Sequence, residues 1–386
     1  MKSQKHLMRD FTDYENILYS LKSVMACHTD RKEVKLAKMD IEQAADAILV
    51  EAEYFPAREH KCKIINETSG LHKKTREIII PEFSETVIHH MAVNAMMPTL
   101  VKGMYEHSYS SIPGRGLHMC RNRVRKWIDN DPKNCKYFIK MDIKKFFPSI
   151  DKDILFDRFQ KDIKDKEFLN KIVKVILNAT PNGLPLGFYT SHWFANYYLT
   201  PLDHYIKEEL QAVHYVRYMD DMVVFGSNKR KLHVMMKSIK EYVENELGLN
   251  LKSNYQLCRF DYIKDGEHHG EFLDFVGFRF YRDRTTLRSS IFDAMMKKCK
   301  KINKKGKFTI HDAHQMVSYL GWVNWSDTFQ VYQKYIEPVC SFTKCKKKIS
   351  QYDKQLRDVR ESLGINYKEV EIDEYYVQKV ALKRLS

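Results

Sequence analysis

The sequence predicts an α+β protein in which strands that end in carboxylates alternate with longer helical segments. Aromatic and β-branched residues on both sides of the tight polar turn Tyr218–Asp221 are typical of a β-hairpin. A second strand-like run, Lys136–Met141, leads directly into Asp142. Apolar residues three and four positions apart over Ile41–Leu49 indicate an amphipathic helix. These three observations define the fold class.

The tip of the hairpin carries two adjacent carboxylates, Asp220 and Asp221. Like charges this close destabilise each other unless a cation lies between them. Mg²⁺ prefers oxygen ligands and keeps coordination sites open for phosphate. Two-metal phosphoryl transfer needs carboxylates from separate strands around ions roughly 4 Å apart, and Asp142 would complete that set. The aspartates therefore predict a phosphate-handling metal site, with solvated turn residues as the alternative.

The segment Gly183–His192 lies between these two strands in the chain and opens a predicted helix that continues to Leu199. Its glycines permit close approach of the backbone to a ligand. Thr190 or Ser191 is the candidate cap of the helix. The segment is therefore a candidate wall of the same site.

Taken in chain order, the motifs resemble those of a bacterial, non-retroviral reverse transcriptase. The lineage includes group II intron-like, diversity-generating retroelement and defence-associated enzymes. The resemblance covers about residues 70–345. It rests on the segments Lys74–Ile78, Ser108–His118, Asp142–Phe147, Leu184–Ser191, Tyr218–Asp221, Leu247–Lys252 and Leu273–Phe280. It implies a right-hand polymerase with fingers, a palm of antiparallel sheet plus helices, and a helical thumb.

The resemblance also implies a division of the chain. A helical amino-terminal extension is followed by fingers, by a palm that carries the catalytic carboxylates and some fingers elements, by a basic helical thumb, and by a tail. The predicted ranges are 1–65 for the extension, 66–135 for the fingers, 136–282 for the palm, 283–350 for the thumb and 351–386 for the tail.

For Asp142, Asp220 and Asp221 the resemblance implies catalysis with two bound Mg²⁺ ions, which Mn²⁺ could replace. The carbonyl of Ile143 is then a further metal ligand. Phe147 matches the aromatic residue that lies beneath the incoming sugar in this family. A bulky ring there would clash with a ribose 2′-hydroxyl and so favour deoxynucleotides.

Five further residues are predicted to surround the nucleotide. Lys74 and Arg76 lie two residues apart on a predicted strand, so both side chains would face the triphosphate and neutralise its charge. Solvated surface charges are the alternative. Gly187 and Ser191 would form the floor beneath the template base. Lys252 resembles the lysine proposed to protonate departing pyrophosphate, and a packed or solvated strand lysine is its alternative.

The charge distribution predicts a nucleic-acid surface. The net charge is +15, and residues 281–350 contain 15 Lys and Arg against 5 Asp and Glu. Such a segment releases counterions when it binds a polyanion, although a solvated helix face has the same composition. Arg115, between two glycines, would contact phosphate or template backbone, or would be an ordinary loop arginine. The predicted contacts in the basic segment are Lys297, Lys298, Lys301, Lys304 and Lys305.

Composition excludes several other classes of protein. No apolar run is long enough to span a membrane, and the start lacks the apolar core of a signal peptide, so a cytoplasmic location is predicted. The eight cysteines form no Cys-x-x-Cys pair, which favours reduced thiols. Two positions depart from the family pattern: Leu186, where many relatives have Gln, and His192, where many have Pro or Gln.

The predicted function is RNA-directed DNA polymerisation. The chain would extend a primer with dNTPs and copy a cognate noncoding RNA into a DNA product, in antiviral (phage) defence. Service in a diversity-generating retroelement or a retron is the alternative role. RNA synthesis on RNA, or a non-catalytic RNA-binding or splicing cofactor with a polymerase fold, are alternatives of other classes. The sequence leaves open whether the chain forms a homo-oligomer or binds an accessory protein.

Overall fold

The computed structural model describes residues 5–27, 31–69, 72–306 and 308–362. The amino-terminal segment is helical. Its helices are α1 (Leu7–Phe11), α2 (Tyr14–Cys27), α3 (Lys32–Ala37) and α4 (Ile41–Glu53). The carboxylate of Asp40 accepts a hydrogen bond from the Gln43 N–H and so caps α4. The apolar spacing predicted this helix correctly, since Ala45 and Ile48 are buried.

A long antiparallel hairpin and a buried helix follow. They are β1 (Lys61–Ser69), β2 (His72–Ile80) and α5 (Phe83–Leu100). Helix α5 is apolar around most of its circumference, and it packs against α1, α2 and α4. An all-round apolar helix is buried on several sides, so α5 joins the amino-terminal helices to the central core. The boundary predicted at residue 65 falls inside β1.

The centre of the molecule is a five-stranded sheet with the order β3-β5-β6-β4-β7. Strand β3 runs parallel to β5, and the other pairs are antiparallel. The strands are β3 (Ser108–Tyr109), β4 (Tyr137–Asp142), β5 (His214–Tyr218), β6 (Asp221–Gly226) and β7 (Gln256–Arg259). The hairpin predicted around Tyr218–Asp221 is β5 and β6.

Helices connect these strands. They are α6 (Leu117–Asn130), α7 (Phe146–Ser149), α8 (Lys152–Asp162), α9 (Lys166–Phe168), α10 (Lys174–Leu177), α11 (Tyr189–His204) and α12 (Lys229–Asn245), with π-helical turns at Leu169–Val173 and Tyr205–Glu209. The sheet is buried on both faces, because alternate residues of a strand point to opposite sides. Ile139 and Met141 of β4 belong to one apolar core, and Phe138 belongs to the other.

The carboxyl-terminal part combines small strands with helices. Its elements are β8 (Tyr262–Lys264), β9 (Glu267–His269), β10 (Leu273–Phe275), β11 (Phe278–Phe280), β12 (Thr285–Leu287), α13 (Ser289–Lys305), α14 (Ile310–Asn324), α15 (Phe329–Tyr335) and α16 (Phe342–Ser362). Strands β10, β11 and β12 form an antiparallel sheet. Helix α16 runs through the boundary predicted at residue 350, and residues 363–386 of the predicted tail lie outside the described residues. Among the described helices, none has the length and apolarity needed to cross a membrane.

Candidate metal and nucleotide site

The structure brings the two carboxylate motifs together. Asp142, the last residue of β4, is the direct cross-strand partner of Asp221, the first residue of β6. Facing residues of an antiparallel pair have Cα atoms about 4.5–5.5 Å apart. Asp220 lies in the adjoining turn, where Met219 adopts a left-handed conformation with φ 56°. The convergence of Asp142 with the hairpin, on which the predicted site depends, is therefore present.

The carboxylates lie in an environment that disfavours their charge. The Oδ1 atoms of Asp142 and Asp221 are buried and accept no hydrogen bond from any described residue. Burial, and to a smaller extent the nearby carboxylates of Asp142 and Asp220, raises the pKa of Asp221 to about 7, while Lys140 opposes the shift. An unsatisfied buried acceptor carries its full desolvation cost. Such oxygens are what a bound cation would satisfy.

These residues fit a divalent metal ion. The site offers carboxylate oxygens from two adjacent strands and the turn between them, which are the hard donors that Mg²⁺ and Mn²⁺ accept. Asp142, Asp220 and Asp221 would hold the metal. The carbonyl of Ile143 stays a predicted member of that set.

Two lysines partly balance the acidic charge. The Lys252 Nζ lies 2.5 Å from Asp142 Oδ2, and the Lys140 Nζ lies 3.9 Å from Asp221 Oδ2. Lys252 was predicted to lie near the site, whereas Lys140 was missed. A signal for Lys140 was available, because alternation along β4 places it on the same side of the strand as Asp142.

Backbone pairing explains the position of Lys252. Leu251 forms an isolated antiparallel bridge with Ile143. The Lys252 N–H donates to the Asp142 carbonyl at 2.9 Å, and the Lys144 N–H donates to the Asn250 carbonyl at 2.8 Å. The short segment after α12 therefore extends the sheet edge and presents its lysine to the aspartate.

Phe147 lies close to this strand end. Phe146 is buried, and Phe147 is half-buried. The Phe147 ring meets the His192 ring edge-to-face, with centroids 5.3 Å apart. His192 is one lining residue of a pocket of about 410 Å³, together with Tyr189, Trp193 and residues 111–113. The predicted sugar-contacting ring is thus next to a concave surface.

The loop before α11 joins Phe147 to β2. The Leu184 N–H donates to the Phe147 carbonyl at 2.8 Å, and the Ile79 N–H donates to the Leu186 carbonyl at 2.8 Å. Gly187 has φ +112°, and a Cβ there would lie 2.0 Å from the Ile79 carbonyl oxygen. Only glycine allows this approach, so Gly187 has a packing reason independent of any ligand.

Ser191 has a different local role from the predicted one. Its hydroxyl is buried and donates to the Pro185 carbonyl at 2.6 Å. The helix cap predicted at Thr190 or Ser191 was wrong, because α11 begins at Tyr189 with Phe188 at the cap position. Ser191 instead fixes the preceding loop, and its place in the floor beneath the template base stays a prediction.

The other residues predicted to contact nucleotide or phosphate are Arg76, Lys74 and Arg115. Arg76 lies on β2, whose continuation through Ile79 contacts the Leu186 loop. Lys74 lies on the same strand, but its side chain is outside the described part of the structure. Arg115 is half-buried and donates from Nη1 to the Tyr105 carbonyl at 2.8 Å, which stabilises its own loop.

The lysines of α13 divide into two groups. Lys298 was predicted to contact nucleic acid, but its Nζ lies 2.8 Å from a carboxylate oxygen of the buried Asp312 in α14. This hydrogen bond, together with those from Thr309, lowers the pKa of Asp312. Lys298 is thus a helix-packing residue, because a buried carboxylate needs a paired cation. Lys305 lies 3.5 Å from the same carboxylate and is still exposed. The exposed lysines of α13 without an ion pair among the described residues are Lys297, Lys300, Lys301 and Lys304, of which all but Lys300 were predicted to contact nucleic acid.

A second cluster of potential ligands lies elsewhere. Donor atoms of Asp261, His268 and Asp283 all lie within 4.8 Å of one another, which is the one such group among the described residues. His268 pairs with Asp261 through Nδ1 at 2.9 Å and accepts from Arg284 through Nε2 at 2.7 Å. Because both ring nitrogens have partners, the cluster is satisfied without an ion.

Comparison with known proteins identifies the central domain. Residues 65–254 match the family model described as reverse transcriptase (RNA-dependent DNA polymerase). The retron Ec73 reverse transcriptase of Escherichia coli is 28% identical over 200 residues, which cover 47% of this chain and 60% of that protein. The group II intron-encoded protein LtrA of Lactococcus lactis is 26% identical over 170 residues, which cover 42% of this chain and 27% of that protein. The chain therefore carries a reverse transcriptase domain of the bacterial, non-retroviral lineage, as its motifs predicted.

A solved structure supports the fold. The insertion-loop deletion mutant of the RNA-dependent RNA polymerase of a human picorbirnavirus aligns with a TM-score of 0.50 at 10% identity. The alignment covers 81% of this chain and 64% of that one. At this identity the likeness concerns architecture alone. It confirms the predicted α+β, right-hand polymerase fold.

Proposed function

We propose that the protein is an RNA-directed DNA polymerase that extends a primer with dNTPs by two-metal phosphoryl transfer. The observation that carries the proposal is the pairing of Asp142 with Asp221, each with a buried oxygen that lacks a partner among the described residues. The reverse transcriptase domain surrounds this pair. Two Mg²⁺ ions held there would supply the charge stabilisation that in-line attack on a phosphate requires.

Residues of the chain would perform the remaining tasks. Phe147, next to the pocket that His192 lines, would exclude a ribose 2′-hydroxyl and so select dNTPs. The Lys252 ammonium, 2.5 Å from Asp142 Oδ2, holds a proton at the site and would donate it to the departing pyrophosphate. Lys74 and Arg76 on β2 would neutralise the triphosphate. Lys297, Lys301 and Lys304 of α13 would bind the backbone of the template–product duplex.

Primer extension on an RNA template tests this proposal. The purified protein should incorporate dNTPs onto an annealed primer in the presence of Mg²⁺, and chelation should stop the reaction. The double variant Asp220→Ala/Asp221→Ala should reduce extension to background while Asp153→Ala, an exposed aspartate of α8, should extend normally. Extension by the double variant at near wild-type rate would show that these aspartates are not the metal ligands. A wild type that binds RNA without extending primers would favour the RNA-binding cofactor.

For the biological role, we propose that the enzyme copies a cognate noncoding RNA in the cytoplasm as part of antiviral defence. A retron role is the second candidate, because a retron reverse transcriptase is 28% identical to this chain over 200 residues. Sequencing the nucleic acid that co-purifies with the protein should return one structured RNA together with DNA complementary to it. Phage challenge of cells that express the wild type or Asp220→Ala/Asp221→Ala tests defence. Equal phage growth on both would reject the defence role and leave the retron role.

A further inference from the structure

A fully buried arginine lies directly behind the catalytic hairpin. Arg217 belongs to β5, two residues before Met219, and its side chain has no exposed surface. Its guanidinium pairs with the equally buried Asp203 of α11 through two bonds, from Nε at 2.8 Å and from Nη2 at 2.6 Å. A charge this deep is tolerated only when it is paired and hydrogen-bonded.

Every N–H of this guanidinium has an acceptor. A guanidinium carries five N–H donors in a fixed planar arrangement. Besides the two bonds to Asp203, Nη2 donates to the Ser108 hydroxyl at 3.0 Å and Nη1 donates to the Asn196 side-chain oxygen at 3.0 Å. The fifth donor, also on Nη1, reaches the backbone carbonyl of Met219 at 3.2 Å. All five donors of the guanidinium are therefore used, and one of them connects the buried network to the turn at Met219.

Met219 immediately precedes the two aspartates of the turn. Its φ of 56° is left-handed, a conformation that costs a non-glycine residue about 1–2 kcal/mol. It persists where surrounding bonds fix it. The Met219 N–H donates to the Tyr109 carbonyl at 3.2 Å, and the Met219 carbonyl accepts from Arg217. The N–H and the carbonyl of Met219 are thus held by residues of β3 and β5, two neighbouring strands of the central sheet.

Asp203 is itself fixed from several sides. Its Oδ1 accepts from the Tyr215 hydroxyl at 2.7 Å, and its Oδ2 accepts from the Ser108 hydroxyl at 2.9 Å. These donors come from β5 and β3, which are neighbouring strands of the central sheet. The network therefore ties α11 and two strands to the turn.

We propose that Arg217, oriented by Asp203, is a positioning residue that sets the metal affinity of the site by holding the Met219 carbonyl. Neither side chain touches the reacting atoms. The inference rests on the proposed function only for the identity of the reaction. Partners that orient metal ligands in this way change metal affinity roughly 10- to 100-fold when they are replaced.

The test is Arg217→Lys, which keeps the charge but loses the planar five-donor geometry. We expect Mn²⁺ affinity of the free protein, measured by electron paramagnetic resonance, to fall roughly 10- to 100-fold. The Mg²⁺ concentration that gives half-maximal primer extension should rise by a similar factor. Arg158→Lys is the matched control, because Arg158 also donates to α11, at the Tyr198 carbonyl (2.8 Å), and no bond connects it to the turn among the described residues. It should leave Mn²⁺ affinity unchanged.

A second variant tests the proposal in case Arg217→Lys does not fold. Arg217→Met/Asp203→Leu removes both buried charges together, a change that proteins often tolerate without loss of stability. Because the buried polar groups of Ser108, Asn196 and Tyr215 lose a partner here, the variant should melt below the wild type while staying folded. It should bind Mn²⁺ as weakly as Arg217→Lys. Wild-type Mn²⁺ affinity in either folded variant would overturn the positioning role even if the wild type extends primers. A wild type that fails to extend primers, with weakened Mn²⁺ binding in the variants, would reject the proposed function and retain the positioning role.

Discussion

Replacing Asp221 with Asn should stabilise the metal-free protein and abolish its stabilisation by Mg²⁺. The Asp221 side chain is 26% exposed and faces Asp142 across the sheet. Burial raises its pKa to about 7. The neutral amide has nearly the same shape and escapes both the desolvation cost and the repulsion from the neighbouring carboxylates.

The size of the stability change and the sign of its pH dependence follow from the pKa of Asp221. The ordinary value is 3.8 and the folded value is about 7, a difference that corresponds to at most about 4 kcal/mol. Because the folded pKa is raised, the folded protein keeps a proton between these values that the unfolded chain has released, and stability falls as the pH rises through this window. We expect Asp221→Asn to gain about 2–4 kcal/mol at pH 8, and this gain to shrink by about 2 kcal/mol at pH 5.5.

Chemical denaturation in a chelator and in excess Mg²⁺ measures this effect. In the chelator at about pH 8 the variant should be the more stable protein, whereas added Mg²⁺ should stabilise the wild type alone. Asp153→Asn, an exposed change on α8, is the control for the loss of one carboxylate and should match the wild type in both conditions. The reasoning fails if Asp221→Asn gains nothing in the chelator or is stabilised by Mg²⁺ as strongly as the wild type.

Three further predictions concern the surrounding residues. Phe147→Ala should reduce the preference for dNTPs over NTPs in competitive primer extension by at least roughly tenfold, and unchanged sugar selection would remove Phe147 from this role. Gly187→Ala should destabilise the fold by more than about 2 kcal/mol, because its Cβ would lie 2.0 Å from the Ile79 carbonyl oxygen. Gly114→Ala, also at positive φ but in open space, should cost about 1 kcal/mol in the same denaturation experiment; equal costs would contradict the packing argument. Lys252→Met should lower the single-turnover rate more than the apparent dNTP affinity, and the reverse result would make Lys252 a binding residue rather than a proton donor.

The parts of the site that the sequence predicted are those determined by local pattern and motif order. The hairpin around Tyr218–Asp221 was readable because strand residues and a polar turn adjoin in the chain. The position of Asp142 beside it depended on the resemblance, since Asp220 lies 78 positions after Asp142 in the chain. The structure confirms that convergence through the register of β4 and β6. Local pattern was insufficient for Ser191, whose hydroxyl is of the type that caps a helix but lies inside α11 and donates to the Pro185 carbonyl.

Side chains whose partners lie in other elements could not be assigned in this way. The stripe of lysines on α13 looks uniform in sequence, and only the position of Asp312 in the next helix separates Lys298 from its neighbours. A charged residue inside the apolar strand β5 was a visible signal for Arg217. Its partners Asp203 and Ser108, however, come from a helix and a parallel strand whose placement no local pattern specifies.

The balance of charge at the site has a consequence for how a metal would bind. Asp142 is paired with Lys252 at 2.5 Å, while the ammonium of Lys140 lies 3.9 Å from Asp221. A cation bound by both aspartates would therefore compete with Lys252 at one carboxylate and relieve a more weakly paired charge at the other. Backbone pairing holds Lys252 at the end of β4. Its ammonium can therefore move away from the Asp142 carboxylate while its backbone stays in place. Under the proposed function, a lysine released from this carboxylate would lie where a proton donor to pyrophosphate is required.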